Sequence, residues 1–349
     1  MNLILSNYLK RISEFMNLKN KTILVTGIGG FIGLRTTELA IARGMHVRGI
    51  ENDPNNAKIA ESLGAKVLVG SICERAIAQE ACQGVDIVLH TAALVKEGGS
   101  LEEFRNVNVG GTLNIARAAI NAGVKTFVHL SSVIVYGFTY ANQVTEEGPL
   151  RSENNPYSLT KIESEEEILK LNTPPDFGVI VIRPTAVYGP RSNPWVIRPL
   201  SLMRQKRFVI PDAGGGVMNH LYIDNLIDGI FLAVEKEAYG EAFNISDGQE
   251  TSWKEYYRRL AEAGNVSAPL SLPAPIVKSL IRLEWLRMRI LGKQPVIFPA
   301  AVDFSTSPHA YSIKKAQAQL GYEPKITLEE GMESIREWLE DTDNQTSNN

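Results

Sequence analysis

Cysteine is scarce, no charge of one sign runs long, and no apolar stretch is long enough to span a bilayer. Two cysteines in 349 residues, Cys73 and Cys82, are too few for a disulfide framework and lack metal-ligand spacing. Both are expected to stay thiols in a reducing cytoplasm, and no metal is expected. The 36 Lys and Arg against 39 Asp and Glu leave a net charge of −3. Without a basic run there is no electrostatic footprint for nucleic acid or an acidic membrane surface. The most apolar late region, 276–297, is interrupted by Lys278, Arg282, Glu284, Arg287, Arg289 and Lys293, so no transmembrane span is expected. Internal repeats and low-complexity tracts are also missing. These absences leave a small molecule as the expected partner.

What is present is a regular alternation. Short apolar runs at 22–25, 47–50, 66–69, 87–90, 126–130 and 179–182 are separated by helical stretches. That pattern predicts buried parallel strands in a βαβ series, hence an α/β, doubly wound Rossmann sheet. The length favours a second, smaller lobe. We place the cofactor domain at 21–190 and 219–246, a discontinuous substrate lobe at 191–218 and 247–340, and a disordered tail at 341–349. Residues 1–20, with Leu3, Ile4, Leu5, Leu9, Ile12 and Phe15 among charged residues, read as an amphipathic N-terminal extension without a signal-peptide cleavage pattern.

Directly after the first strand stands Thr26-Gly27-Ile28-Gly29-Gly30-Phe31-Ile32-Gly33, opening a helix. Gly27 suits the tight turn, Gly30 lets backbone approach a pyrophosphate, and Gly33 lets helix and strand pack closely. The phosphate would sit on the helix N-terminus, beside Phe31 and Ile32. Glu51, ending the second strand, suits the adenosine ribose hydroxyls and would repel the extra phosphate of NADP, so NAD is the expected cofactor.

Tyr157 and Lys161 lie four apart and share a helix face. A nearby ammonium lowers a phenol's pKa, which would fit Tyr157 for acid or base work near neutral pH. Ser132 ends the fifth strand at its carboxyl side, where a hydroxyl faces the crevice and can polarise a carbonyl or alcohol oxygen.

The glycine loop, His90-Thr91-Ala92-Ala93, Asn106-Val107-Asn108-Val109-Gly110-Gly111-Thr112, Ser131-Ser132-Val133-Ile134-Val135-Tyr136-Gly137, the Tyr157–Lys161 pair and Arg183-Pro184-Thr185-Ala186-Val187-Tyr188-Gly189-Pro190 together resemble the extended short-chain dehydrogenase/reductase family. The resemblance runs from about Lys21 to Leu339. It implies Ser132, Tyr157 and Lys161 as the catalytic set, with Lys161 also on the nicotinamide ribose and Asn108 in the active-site hydrogen-bond network. It further implies cofactor contacts at Ala92 and Pro184, and a homodimer through the helices after the fourth and fifth strands. Ser71-Ile72 departs from the family's Asp followed by an apolar residue against adenine, which implies weaker NAD binding.

Dehydratases and decarboxylases of this family carry acidic residues where Val133 and Ile134 stand, so elimination chemistry is disfavoured. Nucleotide-sugar epimerases commonly carry Arg-Asp where this chain has Met218-Asn219, although Arg191, Arg198, Arg204 or Arg207 offer other phosphate partners. The run Gly292, Pro295, 310–316 and Leu320-Gly321-Tyr322-Glu323-Pro324 to Gly331 is similar to the 3β-hydroxysteroid dehydrogenase-like branch. The expected activity is therefore NAD-dependent interconversion of a secondary alcohol and a ketone on a hydrophobic, steroid- or terpenoid-like substrate. A nucleotide-sugar epimerase and an NAD-binding redox sensor are the alternatives. The helix expected over 276–291 has a broad apolar stripe with Lys278, Arg282 and Arg289 opposite. It would close the second lobe, cap an apolar pocket or rest on a membrane surface. Trp195, Trp253 and Trp285 are candidates for core or pocket lining.

Overall fold

The computed structural model describes residues 18–347 apart from 97, 154 and 293–299. The expected helix within residues 1–17, and Pro295, lie outside the described residues.

The first half alternates strand and helix: β1 (Thr22–Thr26), α1 (Phe31–Ala42), β2 (His46–Glu51), α2 (Pro54–Ser62), β3 (Lys66–Val69), α3 (Arg75–Ala81), β4 (Ile87–His90), α4 (Leu101–Arg105), α5 (Thr112–Asn121), β5 (Thr126–Leu130), α6 (Pro156–Leu169) and β6 (Gly178–Pro184). The rest comprises β7 (Ala186–Tyr188), α7 (Arg198–Arg204), β8 (Val209–Pro211), β9 (Val217–Met218), β10 (His220–Tyr222), α8 (Ile223–Glu235), β11 (Ala242–Ile245), β12 (Thr251–Ser252), α9 (Trp253–Ala263), β13 (Leu270–Leu272), α10 (Ala274–Ile290), α11 (Ala300–Thr306), α12 (Lys314–Leu320) and α13 (Leu328–Ser347). Helix thus continues through 341–347, the greater part of the segment expected as a disordered tail.

Seven strands form one parallel sheet in the order β11-β6-β5-β4-β1-β2-β3. Helices cover both faces, so the central strands are buried on each side and read as unbroken apolar runs rather than alternating ones. The strand order reverses between β1 and β4. Their carboxyl ends, Thr26 and His90, are register partners, and the crevice beyond such a reversal is where doubly wound sheets bind ligands.

The smaller elements group into three two-stranded sheets, β10-β7, β12-β9 and β13-β8. Around them an aromatic cluster packs: Trp195 lies 6.0 Å from Trp253, which is 5.8 Å from Tyr257 and 5.9 Å from Phe304. Trp253 is buried and belongs to the core, whereas Trp285 on α10 is partly exposed. Two ion pairs join α1 and its C-cap residue Arg43 to α8. Arg35 grips Asp224 through both carboxylate oxygens at 2.7 Å, and Arg43 meets Asp228 in the buried interior.

Candidate active site

The glycine loop follows from backbone geometry. Gly27 takes φ +67°, and a Cβ there would stand 3.1 Å from the Ala92 Cα, so Ala92 closes directly on the turn. A Cβ on Gly33 would lie 2.5 Å from the Gly27 carbonyl oxygen and 2.6 Å from that of Ile28, leaving no room for a side chain where α1 crosses the loop. Gly30 caps α1 with no side-chain hydrogen bond, and the first turn holds no acidic residue. Its amides, those of Phe31 and Ile32 among them, form an uncapped helix N-terminus that suits an anionic phosphate.

Glu51 is buried at the end of β2. One carboxylate oxygen accepts from the Gly29 amide at 3.0 Å, and the other from Asn52 and Asp53 at 2.9 and 3.1 Å. A carboxylate offers about four acceptor directions, so one remains for a ribose hydroxyl. The sequence reading missed Gly29. A Cβ there would sit 2.9 Å from the Glu51 carboxylate and 2.5 Å from the Asn56 Cβ, and the visible Gly-Gly doublet was its only sequence signal. At Ser71-Ile72, expected from the resemblance to face adenine, the Ser71 hydroxyl accepts from the Cys73 amide at 3.2 Å, and the Ile72 carbonyl accepts from Asn114 at 2.7 Å. Ser71 is thus engaged in its own turn. Pro184 ends β6, buried beside Ile245 of β11.

Asn155 and Pro156 fix where α6 begins. The Asn155 side chain accepts from the Tyr157 and Ser158 amides, and Pro156 supplies the first helical residue, so Tyr157 lies in the first turn. Ser158 donates to the Ile134 carbonyl at 2.8 Å, tying α6 to the 3₁₀ turn Val133–Tyr136. Ser132 caps that turn, its hydroxyl accepting from the Ile134 amide at 3.2 Å. Lys161 donates to the Leu130 carbonyl at 2.7 Å, and its Nζ lies 5.9 Å from the centre of the Tyr157 ring.

Asn108 sits in a widened π-type turn, Asn106–Gly111. Its side chain accepts from the Leu94 amide at 2.7 Å and donates to Thr160 at 3.0 Å, latching the loop after β4 to α6 between Tyr157 and Lys161. Asn108 therefore supports the site through Thr160 and the Leu94 backbone. Arg183 and Glu165, a buried fork-to-carboxylate pair, were not singled out from sequence. Arg183 also donates to the Tyr136 hydroxyl at 2.8 Å, so the pair joins β6, α6 and the 3₁₀ turn.

The expected electrostatics need correction. Burial pushes the Tyr157 phenol up to about 12, with no offset from Lys161. Burial pushes Lys161 down to about 8, partly offset by Glu165. The ammonium is directed at the Leu130 backbone carbonyl beneath the sheet end, and desolvation is the leading cause for each group. Beside them His90 and His129 stack with ring centres 5.8 Å apart. Burial, then Lys161, takes His90 to about 3 and His129 well below the usual imidazole range. Both stay neutral, with His90 bridging Thr26 and Thr112 at 2.9 Å each. The arrangement offers a neutral phenol and a hydroxyl at one sheet end, backed by a weakly held ammonium. That can donate a proton to a carbonyl oxygen or, once deprotonated, accept one from an alcohol.

Residues 23–246 match the family model described as NAD dependent epimerase/dehydratase family. Over 329 residues the chain is 30% identical to 3-beta-hydroxysteroid dehydrogenase of Mycolicibacterium neoaurum, covering 89% of each chain. Over 331 residues it is also 30% identical to UDP-glucose 4-epimerase of Vibrio cholerae, covering 89% of this chain and 93% of that one. The solved structure of UDP-glucuronic acid 4-epimerase from Bacillus cereus, in complex with UDP-glucuronic acid and NAD, aligns with a TM-score of 0.73. That alignment, at 22% identity, spans 92% of this chain and 99% of the other and speaks to the fold.

Proposed function

The chain belongs to the NAD dependent epimerase/dehydratase family, and from that premise we propose that it interconverts a secondary alcohol and a ketone on an apolar cyclic substrate of steroid or terpenoid kind. NAD, the cofactor, supplies the hydride acceptor when bound. The glycine loop, the α1 N-terminus and Glu51 fit its pyrophosphate and ribose. In alcohol oxidation Tyr157 takes the hydroxyl proton while Ser132 steadies the oxygen, and Lys161 supplies the positive charge behind the phenol. Ketone reduction runs through the same groups with Tyr157 as proton donor.

Equal identity to a steroid dehydrogenase and a sugar epimerase leaves the choice to the residues. The observation that carries the reading is Asn219. Its amide donates to the His309 carbonyl at 3.0 Å and accepts from the Tyr311 amide at 3.3 Å, while Met218 is fully buried. Where an epimerase would present a phosphate-pairing Arg-Asp, this chain has a core side chain and an amide committed to its own backbone. Arg191, a substitute phosphate partner by sequence, donates to Glu38 at 2.8 Å. Val133 and Ile134 offer no acid for elimination, and Phe138, just past the serine turn, lies 6.2 Å edge-on to Phe304. These support an apolar substrate.

The same reading takes the protein as a cytoplasmic homodimer. The unpaired, exposed thiol of Cys73 suits a reducing compartment, and light scattering tests the dimer. The deciding test is nicotinamide absorbance with excess NAD against hydroxysteroids and terpenoid alcohols, and separately against nucleotide sugars with product analysis. Sustained NADH formation from the first pool, lost in Tyr157→Phe, is expected. Sugar interconversion without net NADH would make it an epimerase.

A further inference from the structure

Among the described residues, thirteen large apolar side chains are exposed, and seven of them lie on α10 or at Leu291 just beyond it. Monomeric proteins seldom gather exposed apolar surface in this way without a use for it. The helix has three faces. Val277, Ile281 and Met288 turn inward, and of these Val277 is buried. Ile276, Leu280, Leu283 and Ile290 recur at helical spacing on the outer face, 48–77% exposed. Lys278, Arg282 and Arg289 form a basic flank between those two faces, so they border the exposed apolar stripe instead of opposing a single one as the sequence suggested.

Charge selects the occupant. α10 carries Lys278, Arg282, Arg287 and Arg289 against Glu284; Lys278 pairs with Asp303 of α11 and Arg287 with Glu284, which still leaves a local positive excess that the whole-chain net charge of −3 does not reveal. Arg287 lies within the apolar stripe, 3.3 Å from Glu284, and a two-fold pairing of this face with a second copy would bring the Arg282 and Arg289 flanks of both copies together. An anionic lipid surface has the complementary character. It takes aliphatic side chains into the acyl boundary and lets arginine and lysine stems reach back to the headgroups. We propose that α10 lies in the plane of an anionic membrane surface and docks the protein there, with its outer apolar face inserted. No helix of the described residues is long and apolar enough to cross a membrane, so the contact is interfacial. The inference stands independently of the substrate assignment.

Flotation of the full chain with phosphatidylcholine vesicles, with and without phosphatidylglycerol, tests it. Binding is expected on the anionic vesicles and is expected to weaken at about 0.5 M sodium chloride. Leu280→Ser, Leu283→Ser and Ile290→Ser combined should lower partitioning by about tenfold or more, with an unchanged melting temperature because all three sites are exposed. Arg282→Gln and Arg289→Gln should each cost roughly fivefold on anionic vesicles only. A Leu283→Trp variant places an indole on the outer face, and brominated phosphatidylglycerol should quench its fluorescence beyond that of the parent. The proposal is overturned by no binding of the parent to anionic vesicles or by equal binding of parent and triple variant. It is equally overturned by a dimer that the triple variant dissociates in the absence of any vesicle binding.

Discussion

Lys161 holds the carbonyl oxygen of Leu130 at 2.7 Å, which anchors the middle of α6 to the end of β5, two residues before Ser132. One hydrogen bond to a backbone oxygen is modest compensation for a buried ammonium, and desolvation is the first cause of its depressed pKa.

Lys161→Met should therefore raise stability while abolishing turnover. The folded pKa of about 8 lies below the unfolded value of 10.5. The penalty is then fully present below about pH 8 and is relieved as pH rises toward 10.5. Thermal melts should show the variant a few degrees more stable at neutral pH, with the difference shrinking across that window. A lower melting point at neutral pH would mean the ammonium stabilises the fold.

Ketone reduction should hold through neutral pH and fall above about pH 8 as Lys161 loses its proton. The Tyr157 phenol, at about 12, stays protonated throughout that range. Lys161→Arg, if it retains turnover, should keep its rate to higher pH, because a guanidinium does not titrate there. An unmoved alkaline limb would assign it to another group.

Gly33→Ala should weaken NAD binding about tenfold or more and lower the melting temperature. Its Cβ would meet two backbone carbonyls at 2.5 and 2.6 Å, and backbone cannot rotate aside as a side chain can. Calorimetric titration with NAD measures the first effect, and near-parental affinity would show that the loop accommodates the methyl.

Glu51→Gln should narrow the preference for NAD over NADP. It removes the charge that repels a ribose phosphate and turns an NH₂ group toward backbone amides that now meet a carboxylate. The NAD to NADP ratio of kcat/KM reads this directly. An unchanged ratio would place discrimination elsewhere.

Much of the architecture was legible because it is local. Strand runs such as Ile23–Val25 and Val179–Ile182 show burial on both faces through composition alone, and Gly27 announces its left-handed turn by residue type. Tyr157 and Lys161 share a face at any helical spacing of four. The sequence by itself determined the doubly wound sheet, the glycine loop and which side chains gather at the carboxyl ends of its strands. Tertiary structure alone decided their electrostatics, since desolvation depends on everything packed around a group and moved Tyr157 up where a nearby charge predicted down. It alone committed Asn219 to the His309 and Tyr311 backbone, 90 and 92 residues away along the chain. It also decided which face of α10 stays outside, because an amphipathic stripe records periodicity while only neighbouring elements determine which face is covered.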